Sequence, residues 1–249
     1  MKLAPFHPGA APITLAPGRW WVFTDLHLDP QRPEEVDAFA DRLGSAPKDL
    51  AGLLILGDLF DAYLGPEQWA QAGYRPLVQA LQQIRGQVVL LRGNRDVLLE
   101  AKDVAPEGWQ VADSALMATS LGRLFFSHGD QFCLADLSYQ RLRRLLRRPG
   151  LRWGLRRLPW AWRSKMARRL RGYSQEVVPR KPMDAKDLIL EAVGGHLQSL
   201  AAVGAVLGHL HLHRRSELAG GRWLQLLPAW QIDTEAVEFH ALAESGALA

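Results

Sequence analysis

Seven polar residues of this 249-residue chain fall into five short clusters: Asp25-x-His27, Asp58, Asn94, His128 and His209-x-His211. They comprise two Asp, one Asn and four His, all hard or borderline ligands with no thiolate among them. Such a set suits Mn²⁺, Zn²⁺, Fe or Mg²⁺ better than a soft metal. Each member also has an ordinary explanation. Asp25 and Asp58 could cap helices, Asn94 could serve a turn beside Gly93, and His128 could be a hydrogen-bonded core histidine. What sets them apart is their company, because each cluster follows a predicted strand. Residues i and i+2 of a strand share a face, so just past its end both can turn toward one ion.

The strands that must position them are legible as apolar runs. Leu53-Leu54-Ile55-Leu56 is too short for a helix and reads as a strand buried on both faces, ended by Gly57. Trp20 to Phe23 precedes it and Gln87 to Leu91 follows it. Two helical stretches separate the three. One opens at Pro33-Glu34-Glu35 and stops near Gly44, and the other runs through Leu77, Ala80, Leu81 and Ile84. This β-α-β-α-β order predicts a parallel sheet with helical crossovers. Further strands are expected at Gln110 to Met117, Arg123 to Ser127 and Ala205 to Leu207, with Trp223 to Leu227 and Ala236 to His240 closing a second sheet. A helix is expected from about Asp184 to Leu197. The whole reads as an α/β two-sheet sandwich. Residues 20–132 and 186–249 would form its core, residues 1–19 an irregular leader and residues 133–185 an inserted helical cap.

Composition narrows the setting. An apolar share of 48% and a charged share of 22% are ordinary for a soluble globular chain. No apolar run approaches the length of a membrane span, and the proline-rich start lacks the apolar centre of a signal peptide. The single cysteine, Cys133, fits a reducing compartment and reads as a small buried hydrophobe. A cytoplasmic location is expected. Charge is uneven: between Leu137 and Gln175 there are thirteen of the thirty Lys and Arg and no acid. The remainder holds 17 basic against 26 acidic residues. That asymmetry calls for an anionic partner. Trp153, Trp160 and Trp162 lie among these arginines with many leucines, a mixture suited to an anionic membrane surface. Leu142, Leu145, Leu146, Met166 and Leu170 recur there at helical spacing.

The ordered series D-x-H, G-D, G-N-x-[DEH], H-G-D and G-H-x-H resembles the calcineurin-like metallophosphoesterase family. The resemblance runs from about Trp20 to Gln231. It implies that Asp25, His27 and His211 hold one metal, that Asn94, His128 and His209 hold a second, and that Asp58 bridges them. Two dications against two carboxylates would leave a positive centre, suited to binding phosphate and lowering the pKa of a bridging water. Three further stretches resemble one branch, the UDP-2,3-diacylglucosamine pyrophosphatases of lipid A synthesis. These are Gly57-Asp58-Leu59-Phe60-Asp61-Ala62-Tyr63-Leu64-Gly65, Gly93-Asn94-Arg95-Asp96, and His128 to Tyr139 followed by the Arg-rich insertion.

That branch implies two Mn²⁺ ions and cleavage of the diphosphate of UDP-2,3-diacylglucosamine to UMP and the lipid 1-phosphate. It also implies association with the inner-membrane surface and no nucleic-acid partner. Asn94 and Arg95 become catalytic residues, and Asn94, Arg95, Asp136, Tyr139, Ser174, Lys181 and His209 become substrate contacts. The sequence departs from the branch at Leu212-His213, where Arg-Pro is usual, and at Gln231, where His is usual. The competing enzymatic reading is a phosphodiesterase or nuclease whose basic segment binds nucleic acid. A non-enzymatic scaffold would be expected to have lost ligands, whereas all seven are present. His213 and His240 read as surface residues, His196 as packing, and Asp96 and Asp130 as residues that orient loops or ligands.

Overall fold

The computed structural model describes residues 3–177 and 187–243, with the side chains of 171–177 excepted. In the first sheet, β2 (Gly18–Phe23), β3 (Leu50–Ile55), β4 (Gln87–Leu91) and β5 (Gln110–Ala112) run parallel in that order. The crossovers between them carry α1 (Pro33–Gly44) and α2 (Arg75–Gln83), after which α3 (Ala101–Val104) leads to β5. The second sheet has the order β1-β6-β7-β8-β10-β9. Its members are β1 (Ile13–Thr14), β6 (Ser114–Thr119), β7 (Gly122–Ser127), β8 (Ala202–Leu207), β9 (Arg214–Leu218) and β10 (Arg222–Leu226). Helix α7 (Leu190–Ser199) packs on that sheet's outer face.

Period-two alternation divides the apolar runs between two cores. Leu53 and Ile55 of β3 join Trp21 and Phe23 of β2 against α1 and α2. Leu54 and Leu56 join Trp20 and Val22 against Met117, Phe126 and Val206 of the second sheet. Four consecutive aliphatic residues are thus buried because both faces are covered, as the run predicted.

Several expectations need correction. The strand from Val237 to Ala241, here β11, pairs antiparallel with β2 at the edge of the first sheet and does not close the second. Its composition is strand-like, but nothing in its alternation specifies which sheet edge it joins. The Gln110 to Met117 run is two strands, with Asp113 as the point where the chain leaves one sheet for the other. The leader is not wholly irregular: Ile13–Thr14 pairs with β6, and Phe6 stacks on Phe132 at 5.0 Å. Cys133 is buried with the core of the second sheet, and the helices of the basic segment begin only at Leu137.

Those helices are α4 (Leu137–Leu146), α5 (Pro149–Arg157) and α6 (Trp160–Val177). Much of their charge is answered inside the chain. Arg143 donates to Asp130 at 2.8 Å, Arg147 to Asp113 at 2.9 Å, Arg156 to Asp103 at 2.7 Å and Arg163 to Glu67 at 2.5 Å. Arg152 approaches Glu100 at 3.4 Å. The anionic partner of these five arginines is the protein's own acidic body, and the helices are fastened to it. Arg141, Arg148, Arg157, Lys165, Arg168 and Arg169 stay exposed.

Asp113 makes this fastening sensitive to acid. Burial alone would raise its carboxyl pKa, but Arg147 and Arg92 outweigh burial and hold it below the usual carboxylate range. A carboxyl depressed in the folded state adds stability above its unfolded pKa, about 3.9, and that stability fades as pH falls through the folded value. The melting temperature is therefore expected to drop below about pH 4. Asp113→Asn should lower it at neutral pH and flatten the acid decline. Thermal melts across that range check this, and equal slopes for the two proteins would refute it.

Candidate metal centre

All seven expected residues lie just beyond the C-terminal ends of parallel strands. Asp25 and His27 follow β2, Asp58 follows β3 and Asn94 follows β4, while His128 follows β7 and His209 and His211 follow β8. The two sheets thus deliver their chemistry to one edge of the sandwich, where open α/β sheets carry their sites. Backbone bonds lace the loops together. Asp25 N–H donates to Gly57 O (3.1 Å), His27 N–H to Asp58 O (2.9 Å) and Gly208 N–H to His128 O (3.0 Å).

The loops adopt a conformation that side chains rarely tolerate. Asp25, His27, Asp58, His209 and His211 all have left-handed backbone, with φ between 49° and 70°. Among the described residues only Ala201, of the other non-glycine residues, shares it. Such strain is stored where the surrounding structure over-determines it, commonly at functional sites. Gly93 explains one tight approach, since a Cβ there would overlap the Asp58 carboxylate.

The side chains converge. His211 Nε2 lies 3.2 Å and His27 Nε2 3.8 Å from Asp25 Oδ1, and the two ring nitrogens face each other at 3.3 Å. Asp58 Oδ2 is 3.7 Å from His128 Nε2 and 3.9 Å from His27 Nε2. His128 Nε2 is in turn 2.9 Å from Asn94 Oδ1 and 3.1 Å from His209 Nδ1. Two triads, Asp25-His27-His211 and Asp25-Asp58-His128, have their ligand atoms within 4.8 Å of one another.

Charge and tautomer both favour cations here. His128 Nδ1 faces Leu56 O at 3.1 Å, a contact that requires the proton on Nδ1. Its Nε2 is the ring atom left facing Asn94 Oδ1 and the Asp58 carboxylate. Burial pushes His27 down to about 3 and His209 down to about 4, so both rings are neutral ligands near neutral pH. Asp58 is pushed up by burial and by the charge of Asp25. His211 moves the other way, raised by its hydrogen bond to Asp25, so the centre draws positive charge toward its two buried carboxylates. Divalent cations would supply it, and the residues present fit them.

The supporting residues are also in view. Asp25 Oδ2 accepts from Thr24 Oγ1 (2.6 Å) and His209 N–H (2.9 Å), and Asp58 Oδ1 accepts from Arg95 N–H (2.8 Å). Asp96 is fully buried and accepts from Leu59 N–H and Phe60 N–H, which pins the loop after Asp58. Asp130 accepts from Tyr139 O–H at 2.6 Å, and the Tyr139 ring lies nearly parallel to His209 with centroids 6.0 Å apart. Asp96 and Asp130 thus orient their surroundings, as expected. His196 packs against Phe125 and Phe132, while His213, Gln231 and His240 are exposed.

A cavity of about 510 Å³ opens on the cluster, lined by His27, Asp58, Asn94, His209 and His211 together with Arg95, Asp136 and Tyr139. Asp136 also caps α4, accepting from Tyr139 N–H at 3.0 Å, and the Tyr139 hydroxyl is committed to Asp130. Ser174 lies where side chains are not described, and Lys181 falls outside the described residues. Asp61 and Leu210 line the cavity as well, and the sequence assigned neither a role, although Asp61 lies in the Gly57 to Gly65 stretch that carries the resemblance. Asp61 carried one available signal, its place three residues after Asp58 in the same strand-end loop.

Comparison with known proteins agrees with this geometry. The calcineurin-like phosphoesterase family model matches residues 18–212. A UDP-2,3-diacylglucosamine hydrolase of Bordetella parapertussis is 31% identical over 226 residues, covering 87% of each chain. The protein of that name from Pseudomonas entomophila is 34% identical over 198 residues, 78% of this chain and 81% of its own. Among solved structures, a dimetal phosphatase from Danio rerio covers 91% of this chain and 93% of that one at TM-score 0.50. Its 12% identity makes that a likeness of fold. With the family match spanning every strand end that carries the cluster, the chain belongs to the calcineurin-like phosphoesterases and is a metal-dependent phosphoester hydrolase.

Proposed function

We propose that the protein hydrolyses the diphosphate of UDP-2,3-diacylglucosamine, releasing UMP and 2,3-diacylglucosamine 1-phosphate. The observation that carries this reading is a junction of two cavities at Asn94 and Arg95. Both residues line the metal-site cavity, and both line a second cavity of about 110 Å³ whose other walls are mostly apolar. Tyr63, Val97, Leu98, Leu146, Leu155 and Leu170 are among those walls. A phosphate-binding centre adjoining an apolar chamber suits a lipid diphosphate. A nucleic-acid strand has no use for the chamber. The two relatives, each a UDP-2,3-diacylglucosamine hydrolase by name, support the same substrate.

In this reading Asp25, His27 and His211 hold one ion, Asn94, His128 and His209 hold the other, and Asp58 is shared. The thiolate-free donor set suits several hard or borderline dications, and the resemblance to the pyrophosphatase branch selects Mn²⁺ among them. Bound dications would supply positive charge to the phosphate oxygens and lower the pKa of a water. Arg95 is placed to grip the diphosphate, because its Nε is buried without a hydrogen-bond partner among the described residues. Asp136 and Tyr139 bound the side of the cavity nearest α4, where the sugar would lie. Water oxygen joins the phosphorus of the UMP half, and the bond from that phosphorus to the bridging oxygen breaks.

The reading extends to location. Among the described residues no helix is long and apolar enough to cross a membrane. Yet Trp153 and Trp162 are 60% and 65% exposed, near exposed arginines, and Met166 and Leu170 are exposed while lining the apolar cavity. That surface suits peripheral docking on an anionic inner-membrane leaflet from the cytoplasmic side. The deciding experiment incubates metal-stripped protein, reloaded with Mn²⁺, with UDP-2,3-diacylglucosamine and follows UMP. Release of UMP that depends on the metal is expected. Intact cleavage of a simple phosphodiester without UMP release would remove the lipid substrate and leave the phosphoesterase.

A further inference from the structure

A third cavity, of about 320 Å³, adjoins the other two. It meets the metal-site cavity at Asp61 and the apolar cavity at Ala62, Leu64 and Ala167. Its lining is of a different kind. Asp29 and Asp61 bring carboxylates, Gln71 brings a side-chain amide, Trp160 a ring, and Arg168 stands at its exposed side. From this juxtaposition we infer that the cavity between the Asp29 loop and α6 is the pocket for the nucleoside of the substrate. The inference rests on the substrate reading above, in which a nucleoside and a lipid leave the diphosphate in different directions.

The chemistry selects among the parts of such a substrate. Two carboxylates repel a further phosphate, and they make a poor wall for an acyl chain. They are good acceptors for the paired hydroxyls of a ribose. A Gln amide offers a donor NH₂ beside an acceptor carbonyl, which matches the mixed edge of a pyrimidine. Indole presents a flat face on which a base can stack. The wall itself is rigid. Gln68 donates to Ala62 O (3.1 Å) and accepts from Leu64 N–H (2.9 Å), and Tyr74 O–H donates to Leu28 O (3.0 Å). Gln68 and Tyr74 therefore frame the pocket, and Gln71 and Trp160, whose ring also meets the Arg163 guanidinium at 5.6 Å, would read the base.

The three cavities then divide one substrate. The diphosphate sits at the metal site, the lipid enters past Arg95, and the nucleoside enters past Asp61. Residues 61–64 form the partition, since Asp61 faces two cavities and Ala62 and Leu64 face the other pairing. These residues follow Asp58 within one loop, so the same stretch that supplies the shared carboxylate also separates the two arms of the ligand.

Calorimetric titration of the Mn²⁺-loaded full chain with UMP and with ribose 5-phosphate tests the assignment. The two ligands share sugar and phosphate, and ribose 5-phosphate carries a hydroxyl where UMP carries the base. Wild type is expected to prefer UMP by about tenfold or more, the scale of one stacked and hydrogen-bonded base. Trp160→Ala and Gln71→Leu should each bring the two affinities together. Gln71 lies outside the buried core, so that variant keeps the test sound if loss of Trp160 disturbs α6. Equal affinities in wild type, or an unchanged preference in both variants, would overturn the pocket. UMP release from the lipid without base preference would do so while sparing the substrate reading. Base preference lost in the variants, with no turnover of the lipid, would uphold the pocket and sink the lipid.

Discussion

Asp58→Asn is expected to abolish turnover while the protein folds as before. The substitution keeps the shape of the side chain and removes one charge. Asp58 is 1% exposed, its Oδ1 holds Arg95 N–H, and its Oδ2 faces His27 and His128. An amide can still accept from Arg95 N–H, so the loop keeps its place. What it cannot do is balance two dications. The loss in kcat/KM should reach on the order of 10³-fold or more, about 4 kcal/mol of transition-state stabilisation. Metal content should fall with it.

Stability offers an independent reading of the same change. In chelator, burial and the nearby charge of Asp25 both oppose the wild-type carboxylate, and that destabilises the fold. Asp58→Asn relieves it, so its melting temperature in chelator should equal or exceed that of wild type. Added Mn²⁺ should raise the melting temperature of wild type far more than that of the variant. If Asp58 were an ordinary helix cap, the variant would lose stability and keep activity. The structure already weighs against that alternative, because the carboxylate binds the Arg95 amide and no helix begins directly after it. Full metal content with turnover within tenfold of wild type would sink the assignment.

Much of this centre was legible because strand ends are legible. An aliphatic run followed by Gly-Asp, or by Gly-His, marks where a parallel strand stops. The fold gathers those stops at one edge. What the sequence could not disclose is conformational. Nothing in Asp25, His27 or His211 announces left-handed backbone, which arises only when loops from two sheets are laced together. The basic segment was legible only in part, for a related reason. Five of its arginines looked unpaired because their carboxylates, Glu67, Glu100, Asp103, Asp113 and Asp130, lie outside the segment. Net charge over a segment reports on external partners only after such internal pairs are removed. The edge strand Val237–Ala241 failed differently, since a half-buried alternating run is compatible with either sheet edge.

Arg95→Ala should cut kcat by about 10²–10³-fold, the scale for removing one preorganised donor from a phosphate site. The backbone at Arg95 does not depend on its side chain. Its N–H is held by Asp58 and its carbonyl accepts from Tyr63 N–H at 2.9 Å, so truncation leaves the loop in place. Metal content and melting temperature should therefore match wild type, which separates this variant from Asp58→Asn. Arg95→Lys should recover little, because a point charge cannot reproduce the planar fork on a diphosphate. The loss should be greater for a diphosphate than for a small monoanionic diester, since only the former offers a second phosphate to grip. It should appear in kcat more than in KM if the guanidinium meets charge that develops on the departing phosphate. An unchanged kcat with raised KM would make Arg95 a ground-state anchor for the lipid phosphate. Equal losses on both substrates would instead confine its action to the phosphorus under attack.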